Sequence, residues 1–250
     1  MLILHNYWSS VCSQKVRLCL AEKRLPYENR HVNLFEFEHW EPGYAKLNPK
    51  GVVPTLDHDG RIIIESNVII EYLEDVFPQI RLRPDDPFAV AQMRIWIFNA
   101  EEIAHVNVNA ASHNPRHAAR LAKKPYTPAE LTAVAAKCPN PVIAARFLHR
   151  QAYGVSEAEE NAAYGVLDYL LDQMEAALAP GPWLVGKDYS LADVAMAPYI
   201  NRIEVLKRPE MLSTAHRPRI AEWWQRMQAR PAFKEAFSVA NPDKSDPVQR

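Results

Sequence analysis

The chain has little of what would mark several kinds of protein. Its three cysteines in 250 residues, Cys12, Cys19 and Cys138, include no pair separated by two residues. No Cys/His group has the spacing of a zinc site, so neither a disulfide framework nor a bound metal is expected. The thiols are read as free in a reducing cytoplasm. No apolar run approaches the ~20 residues that a membrane span needs, and the first residues lack the basic-then-apolar pattern of an export signal. Charge of one sign is also missing: 29 Lys and Arg stand against 30 Asp and Glu, a formal net charge of −1. That balance supplies no field to draw in nucleic acid or an anionic membrane, and neither is expected as a partner. Only seven glycines stand against twenty prolines, which implies stiff connections, and no internal repeat or low-complexity tract is visible. The 48% of hydrophobic residues can furnish the core of one large or two modest domains.

What is present begins with Leu2 to Arg24, LILHNYWSSVCSQKVRLCLAEKR. An apolar strand, Leu2 to Tyr7, runs into a turn of small polar residues, Ser9, Ser10, Cys12 and Ser13. A helix follows in which Val16, Leu18, Cys19 and Leu20 can face a sheet. Hydroxyls or a thiol at that turn stand at a helix N-terminus, where unpaired N–H groups and the helix dipole favour negative charge by ~0.3–1 kcal/mol. The serines can act simply as caps, or the turn can stabilise a thiolate. Tyr27 to Val32 predicts a second strand, parallel to the first through a right-handed crossover. Residues 33–47 read as a loop or irregular helix. Thr55 to Asp57 and Arg61 to Ile64 flank a His58-Asp59-Gly60 turn as a hairpin. Ser66 then caps a helix with Val68, Ile69, Tyr72, Leu73 and Val76 at helical spacing. The order predicts a thioredoxin-like α/β domain over residues 1–78.

Residues 79–88 hold prolines and few apolar residues in register, and read as a linker. Beyond it the periodic segments are helical: Ala89 to Ala110, Val142 to Ala152, Ser156 to Ala179, Leu191 to Ile203 and Arg219 to Arg230. That predicts an all-α domain over 89–238, followed by a polar tail at 239–250. Ser190 and Asp193, in YSLADVAMAPYI, have the spacing of a capping box and are read as structural. The basic run Arg116, Arg120, Lys123 and Lys124, with His117, is either a solvated connection or a receiver for an acidic substrate or partner.

In order and spacing, SSVCSQKVRLCLAEK, NPKGVVPTL, IIIESNVIIEYLEDVFP and YSLADVAMAPYI together resemble the cytosolic glutathione S-transferases over nearly the whole chain. The resemblance implies glutathione as co-substrate, a small hydrophobic electrophile as the second substrate, and a homodimer. It implies a cis bond at Val53-Pro54, with the backbone of Val52 and Val53 pairing the cysteinyl unit of glutathione. Glu65 would take the γ-glutamyl ammonium, Ser66 and the helix start its carboxylate, and His39 the glycine carboxylate.

A glutathione thiol with pKa ~8.5 is a few per cent ionised at neutral pH, and lowering that value by two units takes ~2.7 kcal/mol. One hydroxyl bond to the anion, at ~1.5–3 kcal/mol, together with the helix dipole, suffices. Three side chains match family positions for that task. Ser10 resembles the serine of plant- and theta-type members, and Ser13 that of the bacterial β-aryl ether cleaving branch. Cys12 resembles the cysteine that forms a mixed disulfide in the bacterial beta class. The region from Ser66 to Pro87 and the long stretch 111–149 also resemble the ether-cleaving branch. A mostly apolar electrophile cleft is expected on the first long helix, at Trp96, Asn99, Ile103 and Asn107. The expected activity is thiolate attack on a hydrophobic or aromatic electrophile, β-aryl ether cleavage being a special case. The alternatives are a glutathione-dependent dehalogenase, isomerase or thiol-disulfide reductase, or a non-catalytic ligand carrier.

Overall fold

β1 (Leu2–Asn6) is buried along its whole length because it lies inside a four-stranded sheet of order β2-β1-β3-β4. A computed structural model describes residues 1–123, 125–206 and 208–242, without the side chains of 119–123 and 209. β2 (Glu28–His31) runs parallel to β1, with Leu4 opposite Asn29. β3 (Thr55–His58) is antiparallel to β1, with Leu4 opposite Leu56, and β4 (Arg61–Ile64) closes the hairpin. Leu4 and Leu56 are fully buried, each stabilising the fold by ~1.5–3 kcal/mol relative to exposure.

α1 (Val11–Glu22) crosses from β1 to β2 and is sandwiched by α3 (Ser66–Val76), α9 (Leu191–Val205) and α11 (Pro231–Phe237). It is therefore buried nearly all round and carries Lys15 and Arg17 into the interior. Between the strands, 33–48 holds a 3₁₀ turn at Glu38–Trp40 and a short α2 (Pro42–Ala45). The linker is anchored rather than loose. Buried Glu74 accepts from Lys23 Nζ at 2.6 Å and from the Leu82 N–H at 3.1 Å, and Leu82 O accepts from the Leu191 N–H at 2.8 Å.

The helical part starts at α4 (Pro87–Asn99), capped by Asp86. The single long helix expected to end near Ala110 runs further and is not uniform. A π turn at Ala100–His105 separates α4 from α5 (Val106–Lys123). The stretch 111–149 is helical for most of its length: the end of α5, then α6 (Pro128–Ala135) with a complete Thr127–Glu130 capping box, then the start of α7 (Pro141–Tyr153). α8 (Glu157–Ala177), α9, α10 (Pro218–Ala229) and α11 complete the domain. The Ser190–Asp193 capping box forms, and Asp193 also accepts from the Leu184 N–H at 3.1 Å and Trp223 Nε1 at 2.8 Å. Val239, at the start of the expected tail, packs against the cluster of Tyr7, Trp8 and Val53, and residues 243–250 lie outside the described residues. No described helix is long and apolar enough to cross a membrane.

Candidate functional site

A cavity of about 350 Å³ opens where the first turn, the Val53-Pro54 loop, the start of α3 and the polar stripe of the π turn and α5 converge. The turn is fixed from beneath. Arg17 donates to Asn6 Oδ1 at 2.7 Å and to Trp8 O at 2.7 Å, while Arg202 Nη2 on α9 donates to Ser9 O at 2.5 Å. With those carbonyls held inward, Ser9, Ser10, Val11 and Cys12 form one wall of the cavity.

The three side chains predicted to face a thiol separate here. Ser10 is the N-cap of α1, its Oγ accepting from the Ser13 N–H at 3.3 Å, and it lines the cavity. Cys12 lines it too, with Sγ 3.5 Å from Nδ1 of His105. Ser13 does not. It is fully buried beneath the turn, and its Oγ accepts from the Tyr7 N–H at 3.3 Å. A residue three positions into the cap points back at the strand it caps.

Burial alone would raise the Cys12 thiol, but the charge and hydrogen bond of His105, with the charge of Lys15, outweigh it and bring the thiol below its ordinary value. Burial opposes protonation of His105, and the Cys12 and Glu101 charges overcome it and raise the imidazole. The arrangement favours a thiolate–imidazolium pair that titrates as a unit. Buried Lys15 stands beneath it. Its Nζ donates to Ser66 Oγ at 3.1 Å and Asn67 Oδ1 at 2.6 Å, lies 3.9 Å from Glu101 and 5.4 Å from the centre of the Tyr199 ring.

The facing wall carries Val52, Val53 and Pro54, with the Val53-Pro54 bond cis. Val52 O is taken by Tyr44 Oη at 2.6 Å and Asn48 Nδ2 at 2.8 Å. No hydrogen bond of the Val53 backbone is made among the described residues, which leaves a donor and an acceptor for an extended peptide. Glu65 and Ser66 line the third side, in a way that differs from a plain serine cap. Glu65 is the N-cap, at φ +71°, and Ser66 is the first helical residue. That left-handed conformation costs ~1–3 kcal/mol for a non-glycine residue and is typical of functional sites. Glu65 Oε1 accepts from Lys50 Nζ at 2.7 Å. His39 lines the same edge, its ring 4.9 Å from that of Trp40.

The electrophile pocket predicted at Trp96, Asn99, Ile103 and Asn107 is a correction: none of the four lines the cavity. Trp96 is in the core, Ile103 packs against it, Asn99 is half-buried, and Asn107 Nδ2 donates to Ile103 O at 2.8 Å. The wall is built by Glu101, His105, Val108, Asn109, Ser112 and Arg116, a stripe of three- and four-residue steps on a different face. The large indole dictates the core face. The polar stripe opposite was visible in the sequence as a signal, but the π turn that aims Glu101 and His105 was not, since it has no residue signature. Ile143 and Arg146 of α7 and Arg202 of α9 complete the cavity, whose surface is more apolar than polar, as expected, but carries several charged side chains on the helical side. α6 and α7 are held over the site by a ring cluster. Phe147 meets Phe37 at 5.5 Å and Trp40 at 5.0 Å, both edge-on, and Lys137 pairs with Glu41 at 2.9 Å. Of the basic run, only Arg116 and His117 have described side chains.

Fold and site together define a class: a thioredoxin-like domain presenting a helix N-terminus, a cis-proline loop and a strand-to-helix corner to one cavity, beside an all-helical domain. Residues 9–76 match the glutathione S-transferase N-terminal domain and residues 120–231 the C-terminal domain, and the chain belongs to the glutathione S-transferase family. It is 31% identical over 241 residues to Protein LigF of Sphingobium sp. (strain NBRC 103272 / SYK-6), covering 94% of this chain and 92% of that one. The crystal structure of beta-etherase LigF superposes with a TM-score of 0.85 at 29% identity, covering 96% of this chain and 99% of that one. The tetrachloro-p-hydroquinone reductive dehalogenase of Sphingobium chlorophenolicum is 30% identical over 249 residues, 95% of this chain and 96% of that one. A glutathione transferase homologue from Sulfitobacter, solved with bound glutathione, has a TM-score of 0.68 at 25% identity, over 93% and 95% of the two chains. The protein is a glutathione transferase with glutathione as co-substrate.

Proposed function

We propose that this transferase displaces a leaving group from a small aromatic or benzylic electrophile, an aryloxide or a halide, by attack of glutathione thiolate held at Ser10, beside Cys12. The carrying observation is the cavity itself, with Ser10 and the Cys12–His105 pair, 3.5 Å apart, on one wall and the unpaired Val53 backbone on the other. In this reading Val53 pairs the cysteinyl unit, Ser66 and the first N–H groups of α3 take the γ-glutamyl carboxylate, and Glu65 takes its ammonium. His39 and Lys50 face the glycine carboxylate. The sulfur then lies at the N-terminus of α1, where a hydroxyl bond and the dipole supply the ~2.7 kcal/mol that a two-unit drop in thiol pKa requires. The likeness to a beta-etherase and to a reductive dehalogenase supports a displacement of this kind.

The Cys12–His105 contact favours a second reading, thiol-disulfide exchange. Cys12 thiolate attacks a glutathione mixed disulfide, the other sulfur leaves as thiolate, and a second glutathione resolves the enzyme disulfide as oxidised glutathione. Cys12→Ser and Ser10→Ala separate the two. On a panel of aryl ethers and aryl halides, Ser10→Ala is expected to lower kcat/KM at least tenfold while Cys12→Ser retains displacement. Loss of displacement in Cys12→Ser with full activity in Ser10→Ala assigns the chemistry to the thiol instead.

We further infer a homodimer, in the cytoplasm. Large apolar side chains are exposed on adjacent elements, Ile62 on β4, Val68 on α3 and Phe88, Ile95 and Phe98 on α4. α3 and α4 are joined by Glu71–Arg94 at 3.0 Å, and α1, enclosed on its sides, is not available to such an interface. Phe98→Asp shifting the sedimenting species to half mass supports the dimer, and an unchanged monomer in the wild type refutes it.

A further inference from the structure

We propose that the electrophile carries an acidic group, a carboxylate or phenolate, received by Arg202 and Arg116 on the helical side of the cavity. This rests on the transferase reading of the same cavity and names the chemistry of its second substrate. Four cationic side chains line the cavity, Lys50, Arg116, Arg146 and Arg202, against two carboxylates, Glu65 and Glu101. Both carboxylates already face a cation, Lys50 at 2.7 Å and Lys15 at 3.9 Å. Neither Arg202 nor Arg116 has a carboxylate within 4.0 Å among the described residues. Several of this protein's other cations do meet carboxylates, while the fully buried Arg17 is met by main-chain and amide oxygens. Arg217 meets Asp168 at 2.8 Å and Asp172 at 2.6 Å, Arg230 meets Glu22 at 2.6 Å, and Lys23 meets Glu74 at 2.6 Å.

Arg202 is 6% exposed, and an uncompensated charge so placed is costly. Burial, and then the repulsion of Arg116, bring its guanidinium down to about 9. Two like charges that line the same cavity repel each other less when an anion lies between them. The bond from Arg202 to Ser9 O uses one of five N–H donors. A planar fork remains for a carboxylate or phenolate oxygen, set beside the turn that carries Ser10. In the reading above, the carboxylates of glutathione occupy the other walls, at Ser66 and at His39 with Lys50, so the anion sought here belongs to the electrophile. An acidic ring substituent held at this point would also aim the reacting carbon at the thiolate.

The test uses two chemically prepared conjugates, S-(4-carboxy-2-nitrophenyl)glutathione and its ring methyl ester, titrated calorimetrically into the full chain. They share the peptide and the aromatic ring and differ in one charge. The expected result is at least tenfold tighter binding of the ring acid, with that ratio falling towards one in Arg116→Gln and partly kept in Arg116→Lys. Equal affinity for the two in the wild type, or a ratio unchanged by Arg116→Gln, overturns the proposal and leaves the transferase reading standing. Binding of neither conjugate overturns both.

Discussion

Replacing His105 with alanine should move the pH at which Cys12 becomes nucleophilic. Cys12 Sγ and His105 Nδ1 are 3.5 Å apart at a part-buried edge of the cavity, and a hydrogen bond between charged partners there stabilises the thiolate by ~1.5–3 kcal/mol. At 1.36 kcal/mol per unit, that predicts an upward shift of about one to two pKa units when the imidazole is removed. Lys15 continues to favour the anion, while burial continues to oppose it. The sign is fixed by the direction of the shift: in the wild type the folded protein releases the thiol proton more readily than a free cysteine of pKa ~8.5. The assay is the rate of iodoacetamide alkylation across pH 5 to 10, with peptide mass mapping to follow each cysteine. Cys19 is fully buried and its thiol is pushed far up by burial, so it stays silent until the protein unfolds. Half-buried Cys138 is followed separately by its own peptide. An inflection at or above that of free cysteine in the wild type, or one that His105→Ala does not move, refutes the ion-pair account.

Ser13→Ala should cost ~1–3 kcal/mol of stability by stranding the buried Tyr7 N–H, while Ser10→Ala costs ~0.5–2 kcal/mol as a lost N-cap. Thermal melts of the two with and without glutathione separate them, since the ligand-induced rise in Tm should survive in Ser13→Ala and shrink in Ser10→Ala. Gly51→Ala should weaken glutathione binding several-fold. Gly51 has φ +61°, and a Cβ there would sit 2.8 Å from Trp40 Cδ1 and 3.1 Å from Pro139 Cδ, forcing apart its own loop and the α6–α7 connection. Tryptophan fluorescence titrated with glutathione reads it, and unchanged affinity refutes it. Burial pushes the Asp193 carboxyl up to about 6, so the folded state binds its proton more tightly than the unfolded state, where it titrates near ~3.9. Its contribution is largest below about pH 4 and is lost as pH rises through 6, a slope worth up to ~3 kcal/mol. Denaturant melts at pH 4.5 and 7.5 should show that slope diminished in Asp193→Asn, and an unchanged slope rejects the assignment.

Much of the site was legible in the sequence because it is local. A strand running into Ser9, Ser10 and Cys12, a Val53-Pro54 loop ahead of a hairpin, and Glu65-Ser66 at a strand-to-helix corner are each contiguous stretches whose backbone chemistry follows from neighbouring residues. The thioredoxin-like order and the helix-only second half were likewise carried by period-2 and period-3.6 patterns. The sequence did not separate Ser10 from Ser13, three residues apart with the same hydroxyl, because which one faces the cavity depends on how the turn closes over β1. Nor did it choose the face of the first long helix: Trp96 suggested a pocket, and the core claimed it.

The order of elements, the capping boxes and the cavity-lining loops were thus determined by the chain's local pattern, since hydrogen-bond capping, turn chemistry and hydrophobic period act over a handful of residues. Tertiary structure alone brought His105 to Cys12 across 93 positions, set Arg202 under Ser9 across 193 positions, and folded α6 and α7 over the cleft. Charge pairing and desolvation depend on distance in space, and a linear pattern carries no measure of that distance.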